Sequence, residues 1–121
     1  MRLYALRGAA GVDENTDTSI LAATTELMYE LLERNDLGPS DVISCLFTLT
    51  PDLDAQFPAV AARELGFEHV PLICAQEIDV AGAMPRVVRV LMHYHAPNGH
   101  KPQHVYLGRA MALRTDLDSA Q

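Results

Sequence analysis

A chain of 121 residues in which 49% of side chains are apolar can bury one core and is too apolar to stay unfolded, so a single domain spanning 1–121 is expected. A formal charge of -7 excludes a general nucleic-acid binder, because that role needs a basic face to neutralise phosphates. No apolar run approaches a membrane span, the first residues lack the apolar stretch of a secretory signal, and Cys45 and Cys74 are too few for a disulfide framework, so a reducing cytoplasm is the expected compartment.

Leu3 to Leu6 predicts a short strand, closed by Arg7-Gly8-Ala9-Ala10-Gly11, which puts Arg7 at a strand end. Thr16 or Asp17 is suited to cap a helix. From Thr18 to Arg34, Ile20, Leu21, Thr24, Leu27, Met28, Leu31 and Leu32 recur at helical spacing, while Glu26, Glu30 and Glu33 lie off that stripe. This is the pattern of one amphipathic helix, ended by Asn35 to Pro39.

Val42 to Leu49 predicts a second strand, apolar enough to be buried on both faces or against another subunit. After a turn at Thr50 to Asp54, Pro58 suits the first turn of a short helix over 59–65, stopped by Gly66. Val70 to Cys74, Arg86 to His95 and His104 to Leu107 predict three more strands. Ala81 to Pro85 is a tight connection, Ala96 to Pro102 a loop rich in breakers, Arg109 to Leu113 a helical turn, and the tail from Thr115 is polar.

The order β-α-β-α-β-β-β is α/β or α+β: a mixed five-stranded sheet with one long helix and short ones. A single long helix covers one face of such a sheet. The other face must close on itself or be covered by copies of the chain, so a homo-oligomer is expected.

Eight of the nine cationic residues are arginines, the side chain that forks onto carboxylates and phosphates and stays charged when partly buried. Arg89 stands among Val87, Val88, Val90 and Leu91, a charge inside an apolar run. Arginines so placed in an acidic chain suggest a small anionic ligand, with ion pairs to its own carboxylates as the plain alternative. His93 and His95 point to one side of a strand, with His100 and His104 near in sequence, yet no Cys or carboxylate spacing completes a zinc site. Cys74 as a nucleophile would need a base beside it, and a buried thiol without a task fits at least as well. Neither Gly8 to Gly11 nor Ala81 to Ala83 has phosphate-loop spacing. Arg7, Arg63, Arg89 and Arg114 with Glu77, Cys74 and Tyr106 remain; taken singly, each reads as a surface ion pair or contact.

Taken in order, longer motifs surround these residues: L-R-G-A at 6–9, T-P-D-L-D-A-Q-F-P-A at 50–59, R-E-L at 63–65, V-P-L-I-C-A-Q-E-I-D-V-A-G at 70–82, R-V at 89–90, H-V-Y-L at 104–107 and A-L-R-T-D-L at 112–117. Over 6–117 the chain resembles the monofunctional, trimeric chorismate mutases of the pseudo-α/β-barrel type. The resemblance implies conversion of chorismate to prephenate, on the route to phenylalanine and tyrosine, by a Claisen rearrangement with no cofactor and no metal, in active sites at the subunit interfaces of a homotrimer. It also implies roles. Arg89 would place its guanidinium at the ether oxygen, Arg7 and Tyr106 would hold a carboxylate, and Glu77 and Cys74 would meet the ring hydroxyl. Phe57 and Ala59 would supply apolar walls from the neighbouring subunit, while Arg63, Leu113 and Arg114 would help close the mouth. Val60 stands where the family often has lysine, which shifts electrostatic load toward Arg63. A non-catalytic trimer that binds a small carboxylate is the alternative function, and a zinc-dependent hydrolase a more distant one.

Overall fold

Five strands and one long helix carry the chain in the computed structural model, which describes residues 1–113. In chain order they are β1 (Arg2–Gly11), α1 (Asp17–Arg34), β2 (Val42–Leu49), the short α2 (Ala59–Ala62), β3 (Leu72–Gln76), β4 (Val87–Ala96) and β5 (Val105–Leu107), followed by a 3-10 helix at Gly108–Leu113. The strands form one mixed sheet in the order β3-β2-β4-β1-β5. β4 is antiparallel to both β1 and β2, while β3 and β5 join the edges in parallel.

α1 forms where its stripe predicts. Thr16 is the cap, its Oγ1 accepting the Ser19 N–H at 3.1 Å, and Asp17 in the first turn complements the helix dipole. Ile20, Thr24, Leu27, Met28 and Leu31 are buried against the sheet; Leu21 and Leu32 are half-buried. At the far end Asn35 fixes the helix to the segment before β5, donating to Leu31 O and Gln103 O and accepting from Gln103 N at 2.7 Å.

Several expected boundaries move. β1 does not stop at Leu6, and Arg7 lies within the strand rather than at its end. All ten residues pair with β4, and Gly8 to Ala10 also pair with β5. The small residues serve close packing. A Cβ on Gly8 would come within 3.1 Å of Leu27 Cδ1 and Leu31 Cδ1, so glycine lets α1 press onto the strand. β3 begins at Leu72 rather than Val70 and runs on to Gln76, because its pairing follows β2 from Cys45 to Leu49. β4 starts at Val87: Arg86 takes φ 50, and its N–H bonds Asp52 instead of a strand. β5 starts one residue late, at Val105, because the His104 ring rather than its backbone receives the Arg7 N–H. The short helix does break at Gly66, as expected: Gly66 leaves helical backbone at φ 103, a conformation that favours glycine, within a widened π turn over Arg63–Phe67.

The core lies between α1 and one face of the sheet, with Leu6, Cys45, Phe47, Val88, Val90, Met92 and Tyr94 buried. Each large side chain there contributes about 1.5–3 kcal/mol by leaving water. Burial pushes the Cys45 thiol up to about 12, so it packs as an inert hydrophobe. β2 is not buried on both faces within the chain. Val42, Cys45, Phe47 and Leu49 point inward, whereas Leu46 stays 42% exposed and Ile73 beside it 58%. The face away from α1 is thus open across its middle and partly covered at one end, where the 3-10 helix packs Ala110 on Ala9 and Val87.

Candidate active site

Strand register composes the site. Ala75 on β3, Thr48 on β2, Arg89 on β4, Ala9 on β1 and Tyr106 on β5 are successive pairing partners, so they form one row across all five strands. The row lies on the open face, because its members alternate with the buried Phe47, Val88, Val90 and Ala10. Arg7 lies two residues before Ala9 on β1, on the same face. Together Arg7, Leu46, Thr48, Arg89 and Tyr106 line a hollow of about 360 Å³.

Glu77 reaches this row from just beyond β3, where its N–H donates to Leu49 O at 2.8 Å. Its Oε2 accepts from Arg89 Nε at 3.0 Å and from the Thr48 hydroxyl at 2.6 Å. The pair is partly shielded, with side-chain exposures of 37% for Arg89 and 20% for Glu77. Such an ion pair adds little to stability; together with the Thr48 hydroxyl on the same oxygen it orients the guanidinium. Glu77 occupies the Nε edge of Arg89. Among the described residues neither guanidinium Nη group, nor Glu77 Oε1, has a hydrogen-bond partner in the protein.

Arg7 is exposed, and its backbone is tied by an unusual ladder bond: its N–H donates to His104 Nδ1 at 3.0 Å. Burial, and then the Arg7 cation, hold the His104 pKa below its ordinary value, which keeps the ring neutral and its Nδ1 free to accept. Two further anchors order the approach to β4. Asp52 accepts from the Thr50 hydroxyl at 2.5 Å and from the Arg86 N–H, and these bonds lower its pKa, that from Thr50 most. Arg109 donates to the carbonyls of Val12, Pro85 and Arg86 at 3.0–3.1 Å and so holds the 3-10 helix over the sheet end.

The remaining expected residues lie elsewhere. Cys74 pairs in register with Phe47 and so belongs to the helix side of the sheet, away from Arg89. With Phe57, Leu53 and Gln76 it lines a second hollow of about 420 Å³, at whose rim Phe57 is 67% exposed. Ala59 is in the core at 3% exposure, and Arg63 is exposed on the π turn. Leu113 packs against the Ala9, Val87 and Ala110 cluster. Arg114 lies outside the described residues. The chain therefore gathers Arg7, Glu77, Arg89 and Tyr106, and holds Phe57 and Cys74 apart from them.

Thr48, His104 and Asp52 are the residues that the sequence pattern concealed. Thr48 looked like one more member of an apolar strand; the signal was its alternation with Phe47 and Leu49. Three of the four histidines considered as zinc ligands have other partners: Ser44 Oγ lies 3.4 Å from His93 Nδ1, Tyr94 Oη 2.8 Å from His100 Nε2, and His104 Nδ1 accepts from the Arg7 N–H. Among the described residues no three His, Cys, Asp or Glu side chains are grouped so as to hold a metal ion.

Comparison with known proteins gives the family of the chain. The family model described as chorismate mutase type I matches residues 3–117. The chain is 43% identical over 118 residues to the chorismate mutase AroH of Thermus thermophilus, spanning 96% of this chain and 97% of that one. To the chorismate mutase AroH of Bacillus subtilis it is 40% identical over 119 residues, spanning 97% and 94%. The solved chorismate mutase structure from Clostridium thermocellum superposes with a TM-score of 0.86 at 44% identity, covering 90% of this chain and 98% of that one. The chain belongs to the chorismate mutase type I family.

Proposed function

We propose that the chain converts chorismate to prephenate on the open face of its sheet, with Arg89 as the electrostatic catalyst. The observation that carries this reading is the Arg89 guanidinium, held at Nε by Glu77 while both Nη groups are unclaimed by the protein among the described residues. Chorismate bears two carboxylates, a ring hydroxyl and an enol-ether oxygen. In the rearrangement one C–O bond breaks as one C–C bond forms, and negative charge gathers on that oxygen. No proton moves and no electrons leave the substrate. What remains for the protein is to hold the folded conformer and to supply positive charge where the negative charge develops. A guanidinium fixed before the substrate arrives does the second without reorganising during the reaction.

Arg7 and Tyr106, in the same hollow, are suited to a carboxylate, and the free Glu77 Oε1 to the ring hydroxyl. Cys74 lies on the other side of the sheet in its own chain and shares a separate hollow with Phe57, which supports their serving a neighbour's site. On this reading the assembly is a homotrimer with the sites at its interfaces. Ala59 would back the Phe57 wall, and Arg63, Leu113 and Arg114 would border the mouth and attract the dianion. The exposed Leu46 and Ile73 on the open face support burial between subunits. Among the described residues no helix is long and apolar enough to cross a membrane, which fits work in the cytoplasm on the route to phenylalanine and tyrosine. Binding a small carboxylate without converting it has no observation of its own in its favour.

Incubation of the purified protein with chorismate, followed by the loss of its ultraviolet absorbance, tests the reading. Loss far above the spontaneous rate, with prephenate as product and no added metal, is the expected result; a spontaneous rate would refute it.

A further inference from the structure

We propose that Thr48 is a positioning residue of this reaction: its hydroxyl fixes the Glu77 carboxylate that aims Arg89. The inference rests on the reading of Arg89 given above and adds a residue to it. Thr48 Oγ1 and Arg89 Nε bond the same oxygen, Glu77 Oε2, at 2.6 and 3.0 Å.

The surroundings explain why a tether is needed there. Glu77 stands past the last residue of β3, where the chain leaves the sheet for the largely exposed segment 78–83. Its backbone is fixed by one bond to Leu49, but its side chain has three rotatable bonds of its own. Arg89 is also long, and a pair of long, partly exposed ions does not by itself hold one geometry. Thr48 is different. It lies in a paired strand, in register with Arg89 on one side and Ala75 on the other, and its β-branched side chain has few rotamers. A hydroxyl so placed is a rigid donor. Because it takes Oε2 together with Arg89, it turns the carboxylate so that Oε1 is left for a ligand donor and the guanidinium presents its Nη edge.

The test compares Thr48→Val, which keeps the shape and removes the donor, with Thr48→Ser, which keeps the donor, by kcat, KM and Tm on chorismate. Thr48→Val is expected to lower kcat roughly tenfold with KM changed less than about threefold, while Thr48→Ser stays within about twofold of the wild type. In a Glu77→Ala background the valine change should cost less than about twofold, because residues that act through one another are not additive. A Thr48→Val protein with wild-type kcat, an equal fall in Thr48→Ser, or the full tenfold loss without Glu77 would overturn the inference. Arg89→Ala is assayed beside them. If it turns over normally, the reading of the site fails and this inference with it. If it is crippled while Thr48→Val is normal, only the role of Thr48 fails.

Discussion

The two faces of the sheet are built from alternate residues of the same strands and do opposite work. On β4, Val88, Val90 and Met92 are sealed under α1, while Arg89, Leu91 and His93 look the other way and stay partly exposed. On β2, Phe47 goes inward and Thr48 outward. The helix side is close-packed, with Leu27 and Leu31 nearer to Gly8 than a Cβ there would comfortably allow. The open side carries an arginine held at one edge, a second arginine and a tyrosine in a shallow hollow. Stability thus resides on one face and the proposed chemistry on the other, a single residue apart.

Paired substitutions can break that contrast. Arg89→Ala should lower turnover by about three orders of magnitude or more, the cost of removing a charge aimed at the transition state, while Tm moves by only a few degrees at most. Phe47→Ala, on the neighbouring strand but the opposite face, should do the reverse: a loss of about 3–5 kcal/mol in unfolding free energy, read by denaturant titration, with near-normal kcat in whatever fraction stays folded. A large stability loss in the first, or a specific catalytic loss in the second, would mean that the faces are not separable.

The pH dependence sharpens the contrast at the edge between β1 and β5. The His104 pKa is depressed in the fold, so as pH falls below the ordinary value of 6.5 the unfolded chain takes up the proton first. The contribution of neutral His104 is therefore whole above about 6.5 and declines as pH falls toward the depressed value. Tm should drop over that interval, and His104→Asn, which keeps an acceptor near the Arg7 N–H but does not titrate, should flatten the drop. The smallest effect is expected from Cys74→Ser. A hydroxyl replaces a polar contact but not a nucleophile, so substantial activity should remain, and complete inactivation of the folded variant would restore covalent chemistry as a reading.

Much of this was legible in the residues. The long helix is fixed by an unambiguous stripe from Ile20 to Leu31, and β2 by its length and apolar content. Arg89 declared itself as a charge among valines, and the ordered motifs from Leu6 onward carried the family. What stayed hidden depends on pairing. Gly8 to Gly11 look like a stop until β4 and β5 are seen to continue them, since small residues both break strands and permit close approach. Thr48 acquires meaning only when β2 sits between β3 and β4, because a hydroxyl 29 residues before Glu77 gives no local signal. The separation of Cys74 from Arg89 is likewise a matter of register: Glu77 is three residues from Cys74, and that odd spacing turns the two to opposite sides.

The central claim is that Arg89 acts on charge developing in the transition state rather than on charge the bound substrate already carries. Measuring kcat and KM together for Arg89→Ala tests this most directly. Nearly all the loss should fall on kcat, with KM changed by less than about tenfold. A near-normal kcat with KM raised by orders of magnitude would make Arg89 a simple carboxylate anchor and contradict it.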